Sequence, residues 1–230
     1  MGSGLLFTQN CVKSRPDPIF GILEAMDYTL YLVADADFAA GRELPALVEA
    51  AVAGGVTLVQ LRAKGLAGKA FVELATWIAR AVAGTGVPFI VNDRLDVALA
   101  CGAAGVHLGQ DDIPVPFARR ILGPGGTIGV SVNTPEEARR AELEGADYVG
   151  AGPAFATASK ETGLPVLGPE GIGRIKRAVG IPVVAIGGIG AGNAAAIAGA
   201  GADGIAVISA ILGAPDARRA AAELRQAFKP

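Results

Sequence analysis

The sequence predicts an α/β protein that forms a single (β/α)8 TIM barrel with an N-terminal extension, and three observations support this prediction. The chain has 230 residues, of which 51% are hydrophobic and 18% charged, so one large core with strands buried on both faces is expected. Eight short apolar runs alternate with Ala-rich amphipathic stretches. Polar residues follow nearly every run, as in a barrel, whereas an open parallel sheet keeps its chemistry at one crevice.

The predicted strands begin after an N-terminal segment that lacks clear periodicity. Residues 1–27 carry Pro16 and Pro18 and are predicted to form a tail or an arm, to which no chemistry is assigned. Residues 28–230 are predicted to form the barrel domain. Its eight strands are expected at residues 28–33, 56–61, 88–92, 105–109, 127–131, 147–152, 183–188 and 204–209.

Helices are predicted between the strands, because apolar residues recur there at helical spacing. The two clearest apolar faces consist of Leu44, Leu47, Val48, Ala51 and Val52, and of Phe71, Leu74, Ala75, Ile78 and Val82. Thr134, Pro135 and Glu137 suit the N-cap, N1 and N3 positions of a capping box. This helix is expected to run to about Glu144 and to end at Gly145.

Four helix-to-strand joints resemble one another. They have the sequences AGGVTLV from residue 53, CGAAGVHL from residue 101, LEGADYVG from residue 143 and GAGADGIAV from residue 199. Their similarity indicates a weak internal repeat.

The composition excludes several classes of function. With 20 basic and 22 acidic residues the net charge is -2, which is too balanced for a general nucleic-acid binder. Cys11 and Cys101 form no disulfide framework, so a cytoplasmic setting is expected. The one histidine, His107, rules out two-His zinc motifs and is predicted to be a hydrogen-bonded structural residue. Every apolar run is too short for a signal peptide or a membrane span, so no membrane partner is expected.

Two basic residues at the end of the second strand indicate an anion site. Arg62 and Lys64 leave an extended chain on the same face and can reach one diphosphate. A solvated surface pair is the alternative, which the neighbouring strand ends disfavour. The nearby Gly68 and Lys69 do not form a P-loop, because the first glycine and the hydroxyl residue of that motif are missing.

Two carboxylates follow the next two strands, which are neighbours in a parallel barrel. Asp93 and Asp112 could therefore face one Mg²⁺ ion, which prefers oxygen ligands and would bridge to a bound diphosphate. The structural alternatives are a helix N-cap for Asp93 and a turn residue for Asp112. Asp96 and Asp111 are weaker candidate ligands.

The later strand ends predict a second phosphate site and a functional loop. A stretch of some twenty residues without periodicity follows the sixth strand and carries Thr157, Ser159 and Lys160. Gly188 after the seventh strand and Ser209 after the eighth match the phosphate cradle of the last two barrel units. Ser131 at the end of the fifth strand has no histidine near it in sequence, so it is expected to bind substrate through a hydrogen bond.

From Tyr28 to about Leu212 the sequence resembles the thiamine-phosphate synthase family, also called thiamine-phosphate pyrophosphorylase. The resemblance rests on VQLRAK at 59–64, VNDRLDVALACGAAGVHLGQDD at 91–112, IGVSVNTPEEA at 128–138, GPAFATASK at 152–160 and AIGGI at 185–189. It implies that the aminopyrimidine diphosphate is bound by Gln60, Arg62, Lys64, Asn92, Ser131 and Lys160. It further implies that Mg²⁺ is bound by Asp93 and Asp112, and the thiazole phosphate by Thr157, Ser159, Gly188, Ile208 and Ser209.

The resemblance also implies the reaction. Diphosphate leaves the pyrimidine methylene group with magnesium assistance, and the thiazole nitrogen attacks to give thiamine monophosphate. Arg62, Lys64, Ser131 and Lys160 are the expected catalytic residues, and the cations among them would neutralise the departing diphosphate. The alternatives are a thiazole tautomerase-like barrel and a non-catalytic sensor of phosphate ligands. The expected partners are small-molecule substrates and, in addition, a second copy of the chain in a homo-oligomer.

Overall fold

The computed structural model describes residues 26–39, 41–157 and 163–230. The predicted tail lies outside the described residues except for residues 26 and 27, and Cys11 lies outside them as well. Within the described part of the chain, every helix is too short or too polar to cross a membrane.

Eight parallel strands form a closed barrel, which confirms the predicted fold. Each strand pairs with the next one in the chain, and the last strand pairs with the first. The strands are β1 Leu30–Asp35, β2 Leu58–Arg62, β3 Phe89–Asn92, β4 Gly105–Leu108, β5 Thr127–Val132, β6 Tyr148–Ala151, β7 Val183–Ile186 and β8 Gly204–Val207.

Helices follow the strands and cover the outside of the barrel. They are α1 Leu44–Ala53, α2 Gly68–Val82, α3 Leu95–Cys101, α4 Val115–Leu122, α5 Pro135–Leu143, α6 Gly168–Lys176, α7 Ala194–Gly199, α8 Ser209–Leu212 and α9 Ala217–Ala227. The two predicted apolar faces, on α1 and α2, are buried or partly buried against the sheet. Their burial is the main force that holds these helices to the barrel.

The predicted capping box begins α5. Thr134 Oγ1 accepts a hydrogen bond of 3.1 Å from the backbone N–H of Glu137. The Glu137 carboxylate accepts one of 2.6 Å from the backbone N–H of Asn133, one residue before the N-cap. Two N–H groups at the helix start are thus satisfied by side chains. The helix ends at Leu143, two residues before Gly145, whose φ of 96° is left-handed.

Three of the four similar joints fix pairs of strands at the amino-terminal end of the barrel. The residue directly before β2, β6 or β8 accepts a hydrogen bond from a backbone N–H at the start of the preceding strand. These bonds are Leu30 N–H to Thr57 Oγ1 at 3.0 Å, Ile128 N–H to Asp147 Oδ2 at 2.6 Å and Val183 N–H to Asp203 Oδ2 at 2.7 Å. The joint before β4 has Ala104 at this position. The internal repeat therefore has a structural role, since it sets the register of β1 with β2, β5 with β6 and β7 with β8.

A second, smaller apolar cluster fills the lower part of the barrel interior. Its buried members are Tyr28, Tyr31, Val33, Leu58, Ile90, Tyr148, Val184 and Ala206. The sequence has three tyrosines, and all of them belong to this cluster. The cluster fills space inside the barrel with side chains, and the carboxyl ends of the strands are where a TIM barrel binds its ligands.

Candidate active site

A cavity of about 550 Å³ opens at the carboxyl ends of the strands. Every predicted site residue that the structure describes lines this cavity, namely Gln60, Arg62, Lys64, Asn92, Asp93, Asp112, Ser131, Thr157, Gly188, Ile208 and Ser209. Ser159 and Lys160 lie outside the described residues. The fold therefore brings together side chains from most of its strand ends at one mouth.

Arg62 is held in place by a buried carboxylate. It is the last residue of β2 and forms an ion pair with Asp35, the last residue of β1, which is its register partner. The Asp35 side chain is 3% exposed, and its other oxygen accepts hydrogen bonds of 3.0 Å from the backbone N–H groups of Asp37 and Phe38. Because both carboxylate oxygens are engaged, the guanidinium has a fixed partner and a fixed direction.

Asp35 is a site residue that the sequence analysis missed. The sequence contains a signal for it, because Asp35 is a polar residue shortly after the predicted first strand, just as polar residues follow the other predicted strands. The first strand was predicted to end at residue 33. Ala34 and Asp35 are not typical strand residues, yet both lie within β1.

Lys64 lies between Arg62, with which it forms the basic pair, and Asp93, which with Asp112 forms the acidic pair. Its Nζ lies 4.0 Å from Asp93 Oδ2, and its side chain is 57% exposed. Asp93 follows β3 in a left-handed conformation with φ of 60°, and its backbone N–H donates to the His107 carbonyl at 2.8 Å. The exposed Lys64 can therefore move to a bound anion, whereas Asp93 is fixed by its backbone.

Asp93 and Asp112 face each other beside the two cations. The pKa of Asp93 is raised from 3.8 to about 6, chiefly by burial and then by a hydrogen bond to Asp112 and its charge, against the lowering effect of the charges of Lys64 and Arg62. Asp112 Oδ2 also accepts a hydrogen bond of 2.6 Å from the backbone N–H of Gly109, so Asp112 closes a turn as well. The N-cap alternative for Asp93 is wrong, because α3 begins at Leu95 without a side-chain cap.

This carboxylate pair has the chemistry that a magnesium site needs. Mg²⁺ is bound in proteins by one or two carboxylates, with water and substrate phosphates completing its octahedron. Among the described residues no group of three or more His, Cys, Asp and Glu side chains could hold a metal, so a site built wholly from protein ligands is not indicated there. Of the weaker candidates, Asp96 forms an ion pair of 2.6 Å with Arg94, and Asp111 is exposed.

Glycine is required at position 188 for two reasons. Its φ is 63°, and a Cβ atom there would lie 2.5 Å from the Ala156 carbonyl oxygen. The Asn193 side chain holds this loop, donating to the Gly188 carbonyl at 2.9 Å. Thr157, Gly188 and Ser209 also line an adjoining cavity of about 670 Å³. Three of the residues predicted to bind the thiazole phosphate thus share a cavity with Arg62, and Asp93 and Asp112 are not among its lining residues.

A line of hydrogen bonds, which we call the floor chain, crosses the bottom of the main cavity. Its members in order are Gln60, Tyr31, Tyr148, His107 and Ser131. His107 is buried and both of its ring nitrogens are hydrogen-bonded, in line with the prediction for this residue. Tyr31 and Tyr148 were not predicted as part of the site, because no sequence signal separates a tyrosine in a hydrogen-bond network from an ordinary core tyrosine.

Comparisons with known proteins agree with the family resemblance and with the fold. A family model described as "Thiamine monophosphate synthase" matches residues 30–211. The thiamine-phosphate synthase of Moorella thermoacetica is 50% identical over 200 residues, which are 86% of this chain and 95% of the relative. That of Albidiferax ferrireducens is 53% identical over 198 residues, 86% of this chain and 90% of the relative. The solved thiamine phosphate pyrophosphorylase of Pyrococcus furiosus superposes with a TM-score of 0.80 at 41% identity, covering 88% of this chain and 96% of its own.

Proposed function

The chain belongs to the thiamine monophosphate synthase family, and from this membership we propose how its cavity carries out the reaction. The protein is a transferase that couples an aminopyrimidine diphosphate with a thiazole phosphate and releases diphosphate. The products are thiamine monophosphate and diphosphate. The tautomerase and sensor alternatives gain no support, because relatives named thiamine-phosphate synthase match most of the chain at about half identity.

The reaction replaces one bond to the pyrimidine methylene carbon by another. The carbon–oxygen bond breaks and its electron pair leaves with the diphosphate. The lone pair of the thiazole nitrogen then forms the new carbon–nitrogen bond, so no general base is needed. The protein's task is to stabilise the charge that grows on the leaving group and to hold the two substrates in line.

Arg62 and Lys64 bind the diphosphate and neutralise its charge as it departs. The Asp35 carboxylate orients Arg62 before substrate binds, and this preorganisation lowers the reorganisation that the transition state requires. Lys160 is assigned to the same anion by the family resemblance. Gln60, Asn92 and Ser131 line the cavity beside these cations and are proposed to bind the pyrimidine end of the same substrate.

Asp93 and Asp112 are proposed to hold Mg²⁺ against the diphosphate. The fit rests on the carboxylate pair itself, since two facing carboxylates destabilise each other until a cation neutralises them. When bound, the ion supplies additional positive charge to the leaving group. The rest of the stabilisation comes from the side chains of this chain.

The second substrate occupies the other side of the mouth. Thr157, Ser159, Gly188, Ile208 and Ser209 are proposed to bind the thiazole phosphate. Support comes from Gly188, where only glycine fits and the backbone can approach a ligand closely. A cytoplasmic location and a homo-oligomeric state remain predictions from the sequence.

One observation carries this proposal: the basic pair and the acidic pair meet at one wall of one cavity, with Lys64 and Asp93 in contact. We expect diphosphate release only when both substrates and Mg²⁺ are present. Release from the pyrimidine substrate alone, or release that a chelator does not affect, would contradict the coupled mechanism.

A matched pair of lysine variants tests the role of the basic wall. Lys64→Ala should lower kcat/KM for the pyrimidine diphosphate by roughly one to two orders of magnitude, because a charged hydrogen bond to the leaving group is lost. Lys69→Ala removes the same charge from a side chain that is 90% exposed, and it should leave the kinetics unchanged. Equal effects of the two substitutions would mean that net charge, and not position, determines the rate.

A further inference from the structure

The floor chain joins two residues of the pyrimidine site through three buried groups. Gln60 Nε2 donates to the Tyr31 hydroxyl, which lies 3.0 Å from the Tyr148 hydroxyl. His107 Nδ1 lies 2.9 Å from the Tyr148 hydroxyl, and His107 Nε2 lies 2.9 Å from Ser131 Oγ. Burial raises the pKa of Tyr31 and of Tyr148 well above the ordinary value, so each hydroxyl stays protonated and has one proton to donate.

Because each hydroxyl has one proton, every hydrogen bond of the floor chain is donated in the same direction, from Gln60 toward Ser131. Gln60 already donates to the Tyr31 oxygen, so the Tyr31 proton points to Tyr148, its remaining polar neighbour within the described part of the chain. Tyr148 accepts that proton and must donate its own to His107 Nδ1, which has to be an unprotonated acceptor. The proton of the neutral imidazole then lies on Nε2, from which it is donated to Ser131 Oγ.

A charged imidazole does not fit this arrangement. Imidazolium carries protons on both ring nitrogens, so the Tyr148 oxygen would receive one proton from His107 and its own proton would turn back toward Tyr31. The Tyr31 proton would then lack an acceptor among the described residues, although Tyr31 is only 2% exposed. A buried donor without a partner is unfavourable, so the hydrogen bonds of the floor chain are all formed only when Nδ1 acts as an acceptor.

The direction of donation along the floor chain determines which groups Gln60 and Ser131, its two end residues, can offer to a ligand. Ser131 Oγ is occupied as an acceptor by His107, and its own proton has no acceptor among the described residues. Ser131 therefore presents a hydrogen-bond donor to the cavity that it lines. Gln60 uses its amide nitrogen toward Tyr31, which leaves its amide oxygen as the acceptor for a ligand.

We propose that Tyr31, Tyr148 and His107 are positioning residues that fix Gln60 as an acceptor and Ser131 as a donor. The site then selects a pyrimidine that offers an amino N–H to Gln60 and an acceptor atom of the same molecule to Ser131. The identity of the ligand rests on the proposed function, whereas the direction of the chain rests only on the hydrogen bonds. The two can therefore be tested separately.

The strands leave room for these rings by placing glycine beside them. A Cβ atom at Gly129 would lie 2.1 Å from Cζ of Tyr148, its register partner. A Cβ atom at Gly150 would lie 3.0 Å from His107 Cε1. Glycine inside a strand weakens it, so its presence at both positions indicates that the rings need this space.

The tautomer of His107 can be read directly, because the sequence has one histidine. Nitrogen-15 NMR of protein labelled at histidine should show, at about pH 8 and without substrate, a proton on Nε2 and an unprotonated Nδ1. A proton on Nδ1, or on both nitrogens, would overturn the proposed direction. This measurement does not depend on activity, so it separates failure of the floor chain from failure of the proposed function.

Two tyrosine substitutions then test the effect on catalysis. Tyr148→Phe removes the hydroxyl at the centre of the floor chain. It should lower kcat/KM for the pyrimidine diphosphate roughly tenfold and leave KM for the thiazole phosphate unchanged. It should also replace the single tautomer of His107 by a mixture of both tautomers. Tyr28→Phe is the matched control, because its ring lies 4.8 Å from the Tyr148 ring and its hydroxyl is not part of the chain. It should change none of the three quantities.

A further variant keeps the test decisive if Tyr148→Phe does not fold. Tyr31→Phe interrupts the floor chain between Gln60 and Tyr148 and retains the Tyr148 hydroxyl. It should therefore lower kcat/KM for the pyrimidine diphosphate and reduce the tautomer preference of His107, each by a smaller factor than Tyr148→Phe does. Equal kinetics of the Tyr28 variant and of the chain variants would overturn the positioning role. Retention of a pure Nε2–H tautomer in every variant would do so as well.

Discussion

Replacing Asp93 by asparagine is expected to stabilise the metal-free protein. In the folded chain the pKa of this carboxyl rises from 3.8 to about 6, chiefly through burial and then through Asp112. Ionising Asp93 at neutral pH therefore costs about 3 kcal/mol of folding free energy, since a tenfold change in an ionisation constant corresponds to about 1.4 kcal/mol. Asparagine removes this cost and tolerates the left-handed φ of 60° at the position.

The sign of the effect fixes its pH dependence. Because the folded-state pKa is raised, the native state binds the proton more tightly than the unfolded state does. The stability that this proton contributes is fully present below about pH 4 and is lost as the pH rises through about 6. Asp93→Asn should therefore match the parent protein near pH 4 and exceed it in stability above about pH 6.

Thermal unfolding in the presence of a chelator measures the effect. For a domain of this length, about 3 kcal/mol corresponds to an increase in Tm of about 6–12 °C at pH 8. Asp111→Asn is the control, because that carboxylate is exposed and its removal should change Tm little. Added Mg²⁺ should raise the Tm of the parent protein and not that of Asp93→Asn. An Asp93→Asn variant that is less stable than the parent at pH 8, or a Tm difference that does not vary with pH, would refute the reasoning.

Three further substitutions probe other parts of the site. Asp35→Asn should raise KM for the pyrimidine diphosphate about tenfold in steady-state assays, because Arg62 loses its charged partner; an unchanged KM would show that Arg62 needs no such support. Gly188→Ala should destabilise the protein by about 1–3 kcal/mol in denaturant titrations and raise KM for the thiazole phosphate, since the new methyl group meets the Ala156 carbonyl. Lys160→Ala should lower kcat strongly and leave thiazole phosphate affinity nearly intact in a binding assay; unchanged turnover would remove Lys160 from the leaving-group role.

The fold could be predicted from the sequence because its signals are local and repeat eight times. Apolar runs and helical faces alternate along the chain, and only a closed barrel places polar residues at so many strand ends on one side. The end of β1 was predicted too early, because Ala34 and Asp35 lack the β-branched or apolar character that marks a strand. Burial of Asp35 depends on Arg62, which is 27 residues away, and no local pattern encodes such a contact.

The candidate site was predictable as a set of positions and not as a set of interactions. The placement of Asp93 and Asp112 after neighbouring strands followed from barrel geometry, and the structure places them side by side. The floor chain could not be predicted in the same way. Tyr31 and Tyr148 are 117 residues apart, and their contact depends on how far each side chain reaches across the barrel interior.

The paired joints at the amino-terminal end of the barrel have a consequence for circular permutation. Arg225 of α9 lies 3.5 Å from Asp27, so the ends of the barrel domain are close enough for a short linker. New termini at residues 83–87, between β2 and β3, would leave both partners of each of the three hydrogen bonds at these joints on the same side of the cut, close together along the new chain. New termini between β5 and β6 would place Ile128 and Asp147, which form one of these hydrogen bonds, near opposite ends of the permuted chain. Permutants opened at quarter-barrel boundaries should therefore refold more readily than those opened within a quarter, as expected for a barrel assembled from two-strand modules.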